Sequence, residues 1–175
     1  MRADQPARAE PTRVVIVGVM GAGKSTVGPL VADALGVAFL DLDTVIEGKA
    51  GKGIPDIFID DGEEHFRALE SEALRESLST EGVLALGGGA ILAEANRVLL
   101  KDQTVVYLTV ELADALTRVG MGQGRPLLAL NPRATLRHLM QQRRPLYEEV
   151  ATITVRTDGR SPQEVADEVL AGLPT

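Results

Sequence analysis

Residues 14–25 read Val-Val-Ile-Val-Gly-Val-Met-Gly-Ala-Gly-Lys-Ser. Four consecutive β-branched residues, Val14 to Val17, predict a strand buried on both faces. Gly18-x-x-x-x-Gly23-Lys24-Ser25 follows directly, the spacing of a phosphate-binding loop. Glycines let backbone N–H groups curl around an anion. Lys24 reaches the β and γ phosphates in such a loop, and the Ser25 hydroxyl ligates Mg²⁺. The next residues open a helix whose N-terminus adds partial positive charge toward the phosphates. The bland alternative is a glycine-rich turn that binds nothing, and the order strand, loop, helix speaks against it. Nucleoside triphosphate binding is therefore predicted, and the acceptor of the phosphate is left open.

Composition narrows the class. The 175 residues are 45% hydrophobic and 25% charged, ordinary proportions for one globular domain. Aromatics are only 3%, so Val, Leu, Ile and Ala must build the core. A formal charge of −7 argues against general nucleic-acid binding. The absence of Cys excludes disulfides and thiolate metal sites. No apolar run approaches a membrane span, and residues 1–12 lack an apolar signal core. The expectation is a cytoplasmic monomer without membrane or nucleic-acid partners. Residues 1–12 are expected to form a disordered tail ahead of a single domain at 13–175.

Working outward, residues 24–35 form a first helix, stopped by Gly36. Pro29 lies about a turn inside it and predicts a kink or a later start. Residues 37–40 are a second strand ending in Asp41-Leu42-Asp43. Strand alternation would aim both carboxylates the same way, one toward Mg²⁺ and one toward a substrate hydroxyl. Equally, Asp43 could simply cap the next helix. A helix from residue 44, a break at Gly51-Lys52-Gly53 and a short helix from Ile54-Pro55 follow, then a turn at Asp60-Asp61-Gly62. Residues 63–78 are a helix in which Arg67 and Glu70 read most simply as an exposed ion pair.

Residues 83–86 are a third strand, followed by Gly87-Gly88-Gly89, read as close backbone approach to a ligand or as a tight turn. Residues 104–109 are a fourth strand, with a helix at about 111–119. Gly120-Met-Gly-Gln-Gly124-Arg125 has hinge freedom and a cation, as a phosphate-covering lid needs. Pro132 starts a helix through Arg143-Arg144, two arginines that could equally be a solvated face. Residues 152–156 are a fifth strand, and Ser161-Pro162 caps the last helix. Strands alternating with helices specify an α/β fold, a parallel sheet flanked by helices.

Together these motifs resemble the shikimate kinase family, within the P-loop nucleoside-monophosphate-kinase-like fold. The segment 18–26 is similar to its phosphate loop, and Phe39-Leu-Asp41-Leu-Asp43 with Ile46-Glu47 to its Asp-x-Asp segment. Ile57-Phe58, Gly62-Glu63 and Phe66-Arg67-Ala-Leu-Glu70 resemble its substrate signature. The glycine triplet, Arg125-Pro126-Leu127-Leu128 and Arg143-Arg-Pro145-Leu-Tyr147 complete the ordered set.

The resemblance implies a sheet order of 2-3-1-4-5, a substrate part at about 43–78 and a lid at about 120–132. It implies phosphorylation of the 3-hydroxyl of shikimate, with ATP as co-substrate and Mg²⁺ as metal. Gly21, Ala22, Gly23, Lys24, Ser25 and Thr26 would hold the nucleotide phosphates, and Arg118, Arg160 and Pro162 would flank adenine. Asp43 would contact the substrate hydroxyls as orienter or base, and Asp41 would stand in the outer shell of Mg²⁺. Arg67 and Arg143 would clamp the shikimate carboxylate beside Gly87, Gly88 and Gly89, and Arg125 would close over the phosphates. A kinase for another polyhydroxy acid such as gluconate, or a catalytically silent relative, are the alternatives. A GTP switch lacks its Asn-Lys-x-Asp pattern here.

Overall fold

The structure is a computed structural model that describes residues 13–120 and 131–174. The expected tail at 1–12 and most of the expected lid, with Arg125, lie outside the described residues.

A single sheet carries five parallel strands in the order β2-β3-β1-β4-β5, as the resemblance implies. They are β1 (Arg13–Val17), β2 (Phe39–Asp41), β3 (Gly82–Ala85), β4 (Thr104–Thr109) and β5 (Ile153–Arg156). Val14, Val15, Ile16 and Val17 are each at most 2% exposed. Side chains of a strand alternate between faces, so unbroken burial means that helices cover both faces of the sheet centre. Each such residue contributes ~1.5–3 kcal/mol through removal from water. The two rings of the chain's tyrosines also serve here, Tyr107 stacking on Tyr147 with centroids 5.1 Å apart.

The helices among the described residues are α1 (Lys24–Leu35), α2 (Leu42–Ala50), α3 (Ile54–Ser77), α4 (Glu94–Leu100), α5 (Leu112–Gly120), α6 (Pro132–Val150) and α7 (Pro162–Gly172). A short 3₁₀ turn (Ala90–Leu92) precedes α4. α1 and α7 pack on each other, α6 lies against β4, and α2 lies against α3. α1 runs unbroken through Pro29, with neither a later start nor a division of the helix. It also packs tightly on the edge strand: a Cβ on Gly28 would lie 2.2 Å from the Phe39 ring.

Two sequence expectations need correction. β2 ends at Asp41 and α2 begins at Leu42, so Asp41 and Asp43 do not alternate along one strand. Asp41 is the cap, its Oδ1 accepting the Asp43 N–H at 2.9 Å, and Asp43 sits in the first turn of α2. Nor is the Arg67–Glu70 pair exposed, because Glu70 is only 1% accessible. The turn expected at residue 62 does appear. α3 is two helical pieces joined at Gly62, whose φ of 85° and ψ of 167° leave helical geometry and favour a residue without a Cβ.

Strand register brings the functional ends together. Ile16 pairs with Ala85, and Ala85 with Asp41. The phosphate loop, the glycine triplet and the Asp41 turn therefore leave the same carboxyl edge of the sheet, where open α/β folds bind ligands.

Candidate active site

The cleft at this edge has a volume of about 800 Å³. Its floor is the phosphate loop. At Gly21, φ is +84° and a Cβ would stand 2.9 Å from the Ala115 carbonyl of α5, so the loop fits beneath α5 only as glycine. Lys24 Nζ donates to the carbonyls of Gly18 at 2.6 Å and Val19 at 3.0 Å, bracing the loop from inside. Ala22 is buried, whereas Ser25 and Thr26 are exposed at the start of α1 and line the cleft. Arg118, near the end of α5, donates to the Gly21 carbonyl and to both the hydroxyl and carbonyl of Thr157. It thereby joins the phosphate loop to the segment after β5.

The opposite wall is built around the triplet, and each glycine admits one functional side chain. A Cβ on Gly87 would lie 2.8 Å from Asp43 Oδ1, one on Gly88 3.1 Å from Arg143 Nη1, and one on Gly89 2.5 Å from Arg67 Nη1 and Nη2. Three glycines in succession cost conformational entropy. Here they let Asp43 from α2, Arg143 from α6 and Arg67 from α3 approach one short backbone stretch. The tight-turn reading of the triplet holds, the Ala90 N–H donating to the Gly87 carbonyl at 3.1 Å, and the groups that approach its backbone are the chain's own Asp43, Arg143 and Arg67.

Arg143 is buried and Arg67 is half-buried. Arg143 is 5% exposed, while its neighbour Arg144 pairs with Glu148 at the surface; the solvated-face alternative holds for Arg144 alone. Arg67 donates to Glu70 Oε1 at 2.8 Å, and its guanidinium lies 5.2 Å from the centre of the Phe66 ring. Burial raises the pKa of Glu70 above the ordinary carboxylate range, against the opposing pull of the Arg67 cation. The Nε atoms of Arg67 and Arg143 are buried and have no hydrogen-bond partner among the described residues, although the Glu63 carboxylate stands 3.6 Å from that of Arg67 as an ion-pair partner. An unpaired buried guanidinium N–H is costly, and a planar anion is the group that two such forks fit. Ile54, Pro55, Phe58 and Phe66 supply an apolar wall beside them.

The cleft is electrostatically mixed rather than simply basic. Lys24, Arg67, Arg118 and Arg143 line it together with Asp41, Asp43, Glu47 and Glu70. Glu70 is engaged with Arg67, and Glu47 accepts the Ile54 N–H at 3.2 Å at the start of α3. Arg160 and Pro162 are not among the cleft-lining residues. Arg160 bonds the Arg156 carbonyl at 2.9 Å and pairs with Glu168, and Pro162 is the first residue of α7. No cluster of three or more His, Cys, Asp or Glu that could hold a metal exists among the described residues. The oxygens present, the Ser25 hydroxyl and the Asp41 carboxylate, suit Mg²⁺, which takes few protein ligands and completes its shell with phosphate and water.

Sequence reasoning missed the contributions of Tyr147, which donates to the Gly88 carbonyl, and of Thr157, which anchors Arg118. The spacing of four between Arg143 and Tyr147 was a signal for the first. Thr157 had none.

A parallel sheet of this order, with a phosphate loop after β1 and an arginine-bearing wall beside it, defines a P-loop kinase. The family described as shikimate kinase matches residues 20–174. A shikimate kinase of Salinispora arenicola is 62% identical over 158 residues, 90% of this chain and 95% of that protein. The solved shikimate kinase of Acinetobacter baumannii, in complex with shikimate, is 43% identical with a TM-score of 0.88, covering 92% of both chains. That of Aquifex aeolicus is 33% identical with a TM-score of 0.80, covering 92% of this chain and 95% of that one. The chain belongs to the shikimate kinase family. It is accordingly an enzyme, a kinase with ATP as co-substrate.

Proposed function

We propose that this enzyme transfers the γ-phosphoryl group of ATP to the 3-hydroxyl of shikimate, in the cytoplasm, as a monomer with no nucleic-acid or membrane partner. No helix among the described residues is long and apolar enough to cross a membrane. The observation that carries the acceptor assignment is the pair of arginines, buried Arg143 and half-buried Arg67, brought to adjacent glycines with Nε atoms that lack a hydrogen-bond partner among the described residues. They match the one carboxylate of a small polyhydroxy acid.

In this reading Gly21, Ala22, Gly23, Lys24, Ser25 and Thr26 hold the phosphates, with Arg118 at the nucleotide side. Ser25 would hold Mg²⁺ with Asp41 in its outer shell, and the ion would supply charge neutralisation on the phosphate oxygens. Arg67 and Arg143 fix the acid end of the acceptor while the apolar wall receives its ring. Asp43 meets the reacting hydroxyl, orients it and accepts its proton late in transfer. Lys24 stabilises charge on the transferring group, with Arg125 added from the expected lid. Arg160 and Pro162 flank adenine from the segment after β5.

The direct test is ADP release with Mg·ATP and, in turn, shikimate, quinate, gluconate or no acceptor. Release with shikimate alone is expected. Release with gluconate instead would overturn the pocket assignment, and no release from folded, ATP-binding protein would favour a silent relative.

A further inference from the structure

Tyr147 is left unused by the chemistry above, yet it touches the centre of the acceptor wall. It is 1% exposed and lies four residues after Arg143, so both side chains leave one face of α6. Its ring is held by the stack on Tyr107, and its hydroxyl donates to the Gly88 carbonyl at 2.5 Å. The space where Gly88 would carry a Cβ is 3.1 Å from Arg143 Nη1, 3.5 Å from Tyr147 Oη and 3.7 Å from the Gly18 carbonyl oxygen. That Gly18 carbonyl in turn accepts from Lys24 at 2.6 Å. Gly88 is thus the point at which the acceptor wall meets the phosphate loop. Burial pushes the Tyr147 phenol pKa up, with the Arg143 cation opposing, so the hydroxyl keeps the proton that it donates.

A peptide unit is planar. Fixing the Gly88 carbonyl therefore also fixes the Gly89 N–H, at the residue against which Arg67 packs. We infer that Tyr147 is a positioning residue for the acceptor: through the Gly88 carbonyl it sets the peptide joining Gly88 and Gly89 against Arg143, and so tunes carboxylate binding without touching the nucleotide. The inference rests on the reading of Arg143 as a carboxylate ligand.

Tyr147→Phe keeps the ring and the stack and removes the hydroxyl, with its bond to the Gly88 carbonyl and its contact with Arg143. The KM for shikimate should rise ~3- to 10-fold, with kcat and the KM for ATP within about twofold of wild type. In an Arg143→Ala background the same change should have less than about a twofold effect, since coupled residues are not additive. An unchanged shikimate KM, an equal rise in both KM values, or an undiminished effect in the Arg143→Ala background overturns the proposal. Arg143→Ala alone separates the two readings: if it leaves the shikimate KM unchanged, the carboxylate assignment fails as well.

Discussion

The two halves of the cleft are built in opposite ways. The nucleotide floor is nearly contiguous, with residues 18–26 carrying the loop, the lysine and the hydroxyls in one stretch. Arg118, bonded to Gly21 and Thr157, ties it to the segment after β5. The acceptor wall is assembled from separated segments: Asp43 on α2, Arg67 on α3, the triplet after β3 and Arg143 on α6. A contiguous site is specified by local backbone chemistry. An assembled site depends on packing, so changes in it should alter binding of one ligand while sparing the other.

The largest effect is expected at the contiguous half. Lys24→Ala should lower kcat by roughly 10²- to 10³-fold, because it removes a cation aimed at developing charge. Steady-state kinetics check this, and wild-type turnover would remove Lys24 from the chemistry. Arg143→Ala should instead raise the KM for shikimate about 10- to 100-fold, leaving ATP affinity within a few-fold. Equal losses for both ligands would erase the division drawn here. Gly89→Ala is the sharper probe of assembly. Its Cβ would fall 2.5 Å from two guanidinium nitrogens of Arg67, which can swing away while the fold persists. A ~5- to 20-fold rise in shikimate KM is expected with little change in melting temperature.

The smallest effect is one of pH on stability. Glu70 titrates above its ordinary value of 4.5 because of burial, with Arg67 opposing. As pH rises, the unfolded chain releases that proton first. The stability contributed by this group is therefore complete below about pH 4.5 and is lost as pH climbs through the raised folded value. Glu70→Gln stays neutral. Its melting temperature relative to wild type should move in the variant's favour as pH rises from about 4.5 through the raised folded value. A difference that stays constant with pH would show that Glu70 does not titrate in this window.

The same contrast explains what the sequence disclosed. The phosphate loop was legible because its residues act through neighbours in the chain, and the strand order followed the family resemblance. The Asp41–Asp43 geometry was not, because a strand ending at Asp41 and one ending at Asp43 have the same hydrophobic pattern. Only the capping bond to the Asp43 N–H distinguishes them. Arg67 and Glu70 looked like a surface pair because helical spacing carries no record of what packs over it. Burial there is imposed by tertiary contacts, including the triplet, which approaches from another element. Arg143 and Arg144 are adjacent in sequence yet opposite in fate, the first buried and the second exposed, a division decided by which face of α6 meets β4.

One packing detail bears on how donor and acceptor keep their distance. The Phe39 ring occupies the space that a Gly28 side chain would need, locking the edge strand to the helix that rises from the phosphate loop. In mechanical terms α1 and β2 form a single rigid link, with the phosphate anchor at one end and Asp41 at the other. The acceptor-side helices α2 and α3 are mounted on that link. To change the gap between the phosphate loop and Asp41, a ligand would have to deform this ring contact and the paired strands behind it. The spacing between the phosphate loop and the Asp41 turn is thus a dimension of the scaffold.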